Sequence, residues 1–219
     1  MAGSVVWTPC PARASLAGER GPDAEGGATA GFDVREFQLV LLRRMADYQP
    51  ERVDAARERL SATIDEMRDA NRHWQALSRA PGAPRGLRRL RLALGVPEHE
   101  DTRVYGDLTF RVARWSLPLW PDLTFEAVAG HDGELWHQWL VRADGVPTPP
   151  LRTVDDLAPW SCVVGDLEQH FDVAGRAADG QSRWAVRFTA DDAHAARRHV
   201  TARFVWGLLQ EVTVEPRTT

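Results

Sequence analysis

"FEAVAGHDGELWHQWL", Phe125 to Leu140, carries the decision about the second half of the chain. Apolar and polar residues alternate on either side of Asp132-Gly133. Asp-Gly is a strong signal for a two-residue type I′ turn, in which both central residues take positive φ. That turn pairs His131 with Glu134, Ala129 with Trp136, Val128 with His137 and Glu126 with Trp139. Side chains alternate along a strand and cross-strand partners share a face. One face then holds Phe125, Ala127, Ala129, Trp136 and Leu140, and reads as core. The other holds Glu126, Val128, His137 and Trp139, with a His137–Glu126 hydrogen bond expected. His131 sits at the tip. The two histidines face opposite sides, so the hairpin offers no shared metal site, and neither a metal nor a cofactor is expected.

Outward from this hairpin the same period recurs. "VYGDLTFRVARW", "LTFEAVAG", "ELWHQWLVR", "EQHFDVAG", "SRWAVRFTA" and "QEVTVE" read as strands separated by Pro, Gly and Asp. In "FDVAGRAADGQSRWAVRF" a second Asp-Gly, Asp179-Gly180, takes a turn, placing Phe171, Val173, Trp184, Val186 and Phe188 on one face and pairing Asp172 with Arg187. The two hairpins share "VAG", "DG" and a tryptophan, as a weak repeat or as two hairpins under the same turn rules. "DDAHAARRHV" starts like a capped helix, expected over residues 191–199. "EHED", Glu98 to Asp101, reads as an acidic loop.

Upstream the period becomes helical. Asp33 is a plausible N-cap with Glu36 three residues on, and Val34, Phe37, Leu41, Met45 and Tyr48 follow at helical spacing. Pro50 ends that run and can open a second helix. There Val53, Leu60, Met67 and Trp74 are seven apart, with Ala56, Thr63, Ala70 and Leu77 as the companion position. This heptad predicts one continuous helix, paired with the first as a hairpin or presented to a second copy or a partner. "GLRRLRLALG" forms a short basic helix that docks Leu87, Leu90 and Leu94 and offers Arg88, Arg89 and Arg91 to a partner or to the acidic half of the chain.

The expected fold is therefore α+β: a flexible tail over 1–31, a helical hairpin over 32–80, a basic connector over 81–101, and an antiparallel β domain, sandwich or small barrel, over 102–219. Within the tail, Val5 to Pro9 could add an edge strand. Residues 32–95 carry 13 basic and 9 acidic groups, and residues 96–219 carry 12 and 19. All 27 basic residues are arginine, and there is one isoleucine (Ile64) and one asparagine (Asn71), a bias that a GC-rich, bacterial genome explains. Arginine content is thus no sign of nucleic-acid binding, and a net charge of -4 opposes it further. No apolar run approaches bilayer length and no secretory signal is legible, so a cytoplasmic location is expected. Cys10 and Cys162 form no metal knuckle.

For chemistry, Glu168, His170 and Asp172 alternate in "LEQHFDV". They read as one solvated strand face or, in a barrel lumen, as a base with acids beside it. His170, His137 and Glu126 are the catalytic candidates, and no phosphate-loop, dinucleotide, nucleophile-elbow or zincin motif is present. "GHDGELWHQW" resembles the G-x-D-G-x-L-W-H-x-W segment in blades of Trp-rich β-propeller lectins. That resemblance implies sugar contact through Trp136, His137 and Trp139, although the β residues suffice for two or three blades and a closed propeller needs at least about four. The leading expectation is a non-catalytic binding or assembly protein. It associates through the heptad helix, with itself or a protein partner, and binds through the Trp-rich β domain. The alternatives are a cyclase- or isomerase-like enzyme with an aromatic-lined pocket for a small molecule, and a carbohydrate binder.

Overall fold

The computed structural model describes residues 32–178, 180 and 182–216. The expectations for the tail, including Val5 to Pro9 and Cys10, and for Asp179 lie outside them. Four helices come first: α1 Val34–Met45, α2 Pro50–Arg59, α3 Ile64–Arg79 and α4 Gly86–Leu94. A four-stranded antiparallel sheet follows, β1 His99–Tyr105, β2 Leu108–Ser116, β3 Leu123–Ala129 and β4 Leu135–Arg142, paired in chain order. After a short 3-10 turn comes α5 Val164–His170. A second such sheet is built from β5 Val173–Ala178, β6 Arg183–Asp191, β7 Arg197–Val205 and β8 Leu208–Val214. The chain is mixed α+β.

α1 begins where the sequence places it. Asp33 accepts from the Glu36 amide and Glu36 accepts in return, closing the capping box. Its burial is wider than one stripe, because Leu39, Val40 and Leu42 are buried beside Phe37, Leu41 and Met45. A helix with so broad a buried face packs against several elements; α2, α3 and α4 and the first sheet lie against it, and Arg44 is left exposed. Phe37 meets both Trp74 of α3 and Phe125 of β3 edge-on.

The continuous heptad helix is corrected. Pro50 does open α2, but α2 ends at Arg59 and Ser61 takes φ +50. Arg35 donates to the Leu60 and Ser61 carbonyls, both at 3.0 Å, and holds the corner. α3 then starts on its own capping box, Thr63 with Glu66. The signal was legible as "TIDE", and two satisfied helix ends outweigh one more turn of helix. Three helices therefore replace the two of a hairpin. Val53, Met67 and Trp74 are buried, and Leu60 half-buried, in one core with α1 and the first sheet. They form no exposed stripe.

Four further stretches depart from the sequence reading. "EHED" lies in β1 from His99 onward, an exposed, charged edge strand of the kind that discourages further pairing. "LEQHFDV" is mostly α5, so Glu168, His170 and Asp172 do not share a strand face. The helix expected over 191–199 is a turn and the start of β7. There Asp192 Oδ1 accepts from the His194 and Ala196 amides, and Ala195 takes φ +56. Asp serves turns by this bonding as readily as it serves helix caps. The second hairpin pairs Ala178 with Trp184 and Gly175 with Arg187, so the expected Asp172–Arg187 pair does not form.

The two sheets meet at β4. The β7–β8 turn places Trp206 and Gly207 at φ +51 and +78, and Trp206 O accepts from the Leu140 amide at 2.7 Å. A Cβ on Gly207 would stand 2.7 Å from Leu140 O, so only glycine permits this approach. Nearby, buried Asp166 of α5 takes both guanidinium arms of Arg142 and the Val163 amide. Among the described residues, no helix is long and apolar enough to cross a membrane.

Candidate functional site

The β3–β4 hairpin holds the residues that matter most, and its turn differs from the expected one. Only Gly133 takes positive φ, at +83. The Gly133 amide donates to Gly130 O and the Gly130 amide to Glu134 O, both at 3.0 Å, which makes a three-residue loop closed by a left-handed glycine. The longer loop shifts the pairing by one, so Ala129 faces Leu135. A bulge at Trp136 then restores it, so Val128 faces His137 and Glu126 faces Trp139 as expected. Two offsets cancel everywhere except at Trp136, which leaves the core face.

The reason lies in α4. A Cβ on Gly86 would sit 1.9 Å from Gly133 O, and the Leu87 amide donates to that oxygen at 3.4 Å. Helix and turn are pressed together on the inner side of the sheet, where an indole would otherwise have to fit. Trp136 instead lies outside, 65% exposed, edge-on to Phe110 at 4.5 Å. Tyr105 meets Phe110 from the other side at 5.7 Å, and Leu108 is 48% exposed beside it.

Behind Trp136 is a recess of about 220 Å³, lined by Arg89, Glu134, Trp136, His137, Gln138 and Trp184 among others. Arg89 reaches it from α4 with its guanidinium 5.0 Å over the Trp74 ring. Burial lowers the Arg89 pKa from its ordinary value, and the Glu134 charge opposes that. Arg89 Nε, His137 Nε2, Gln138 Oε1 and Trp139 Nε1 are buried without hydrogen-bond partners among the described residues.

Lower on the same outer face, Glu126 is almost fully buried. Arg103 Nη2 and Arg114 Nε donate to its Oε2 at 2.8 and 2.9 Å, and Arg114 also reaches Asp144. Burial favours the neutral acid, but His137, Arg103 and Arg114 outweigh it and hold the Glu126 carboxyl down to about 2. His137 Nε2 stands 3.6 Å from Oε1. That is just beyond hydrogen-bond reach, so the expected His137–Glu126 bond is not made, although the imidazole stands close enough to act on the carboxylate with the two guanidiniums. His137 leans on Trp139 at 4.5 Å, and Trp139 meets Trp184 at 5.9 Å. A carboxylate this stabilised is a weak proton acceptor at neutral pH; its placement suits a charge clamp across three strands.

The remaining candidates are apart from this cluster. His170, exposed at the end of α5, donates from Nδ1 to the Asp166 carbonyl at 2.8 Å. It borders a second, polar recess of about 230 Å³ with Arg152, Glu168, Asp172, Asp191 and Arg197. Burial raises the Glu168 pKa despite its ion pair with Arg176. Arg91 is paired with Glu100, while Arg88 is exposed. The Cys162 thiol is pushed up to about 12 by burial and by the Asp166 charge, so it is an unreactive core thiol. Sequence reasoning missed Arg103, Arg114, Gln138 and Trp184. Extending the register across β2 would have found Arg114, which lies opposite Glu126.

No family model matches the chain, and no curated protein does. One solved structure, described as a "putative beta-lactamase inhibitor protein" from Streptococcus mutans, is 12% identical over 60% of this chain and 82% of that chain. Its TM-score is 0.27, and a likeness at that level carries no argument about this protein.

Proposed function

We propose that the protein is a non-catalytic binding protein of the cytoplasm whose contact face is the outer side of the first sheet around Trp136. The observation that supports this is the bulge. A plain hairpin would turn the Trp136 indole inward; this one holds it in water over Phe110, flanked by Tyr105 and Leu108. Folding gains little from an indole left in solvent, whereas a rigid, exposed tryptophan supported from beneath is what interfaces use as an anchor. Val53, Leu60, Met67 and Trp74 are committed to the protein's own core, so the contact is not assigned to the heptad face of α2 and α3.

The test is quantitative co-purification of the tagged full chain and its Trp136→Ala variant from the native cell. A specific protein retained by the wild type and depleted about tenfold or more by the variant, at equal thermal stability, supports the reading. Identical partner sets from both would overturn it.

A further inference from the structure

We infer that the partner is a protein presenting acidic side chains beside an apolar anchor, the acids seated on the arginines of α4 and the anchor on Trp136. This rests on the contact face proposed above and adds the chemistry of its occupant.

α4 turns Leu87, Leu90, Ala93 and Leu94 inward and leaves Arg88 and the N-cap residue Arg85 exposed. Its sequence contains no acid. On α3, by contrast, Arg68 and Arg72 each pair with an aspartate three residues earlier. Among the described residues no carboxylate lies within ion-pair distance of Arg85, Arg88 or Arg89, in a chain whose formal net charge is -4. The like charges of Arg85 and Arg88, three apart and unpaired among the described residues, repel one another, and an acidic partner relieves that repulsion. The Leu87 amide bond to Gly133 sets this helix against the β3–β4 turn, and Arg89 and Trp136 line the same recess. Arg89 is therefore a neighbour of the apolar anchor, and Gly86, which lines the same recess, carries Arg85 beside it in the chain as Arg89 carries Arg88. Arg89 is also preorganised. Its guanidinium lies on Trp74, so little side-chain freedom is lost when an acid binds.

The same surface is poorly made for nucleic acid. Glu134 stands in the recess beside Arg89, and Glu100 already neutralises Arg91. Two exposed arginines and the half-buried Arg89 fall short of the roughly six to ten phosphate contacts that give firm non-specific binding. One exposed indole with a few cations matches a short acidic protein segment that carries an aromatic or aliphatic residue.

The experiment is fluorescence anisotropy on the full chain with three labelled probes: a 15-residue peptide with aspartates and glutamates around a central Leu-Trp, the same peptide with asparagine and glutamine in place of the acids, and a 15-nucleotide single-stranded DNA. The acidic peptide should bind about tenfold more tightly than the neutral one and lose affinity as salt rises. Arg85→Gln with Arg88→Gln, both exposed sites, should remove most of that preference, and Trp136→Ala should weaken both peptides alike. Equal binding of the two peptides, DNA binding as tight as the acidic peptide, no binding by any probe, or an unchanged preference in the double variant would each overturn the inference. Failure here is separable from failure of the contact face. A co-purifying partner lost by Trp136→Ala but kept by the double variant leaves the face standing and removes only the acidic occupant.

Discussion

Glu126→Gln tests the clamp beneath the proposed face. The substitution keeps the shape of the side chain and removes its charge, leaving Arg103 and Arg114 facing a neutral amide. The native carboxyl is held at about 2 against an ordinary value of 4.5. At about 1.4 kcal/mol for each tenfold change in proton affinity, that difference is worth about 3 kcal/mol of stability near neutral pH. Breaking a buried ion pair from one side gives a comparable range of about 3–5 kcal/mol, and the partial exposure of both arginines places this case at its lower end. Because the folded-state pKa is depressed, the contribution is complete above the unfolded value and is lost as pH falls toward 2. The gap between wild type and variant should shrink to roughly half by pH 3. Urea unfolding at pH 7, 5, 4 and 3 measures it. With a slope of about 2–3 kcal/mol per molar, the midpoint at pH 7 should drop by about 1 M. A loss below about 1 kcal/mol at pH 7, or a gap unchanged between pH 7 and pH 3, would refute the assignment of Glu126 as an ionised, stabilising clamp.

The other expectations follow from packing. Gly86→Ala should cost more than about 2 kcal/mol and loosen α4 from the β3–β4 turn, because the added carbon meets a backbone oxygen that cannot move aside; calorimetry that finds less than about 0.5 kcal/mol would contradict the packed contact. Trp136→Ala should change stability by only about 1 kcal/mol, whereas Trp74→Ala, which empties a core site, should cost about 3–5 kcal/mol; similar values in chemical denaturation would mean that Trp136 is not exposed as described. In a Cys10→Ser background, Cys162 should resist iodoacetamide in the native protein and react fully in denaturant, and modification by mass spectrometry under native conditions would count against its burial.

Local chemistry is what the sequence by itself determined. The Asp33 cap, the start of α2 at Pro50, the inward leucines of α4 and most strands are written in short-range signals, because caps, turns and periodicity act within a few residues. The Thr63–Glu66 box belongs to the same class; it was legible but masked by a heptad that two helices happen to continue. The second class of feature depends on what lies across space. "LEQHFDV" and "DDAHAARRHV" have compositions that suit helix, strand or turn, and neighbouring elements decided between them. Whether Trp136 enters the core or the solvent depends on whether α4 occupies the inner side of the hairpin, and no pattern within Phe125–Leu140 encodes that. Likewise Glu126 becomes a clamp only when β1 and β2 bring Arg103 and Arg114 onto it. A one-residue change of register exchanges the faces of a strand, so the identity of the site rested on a bulge that only tertiary packing could select.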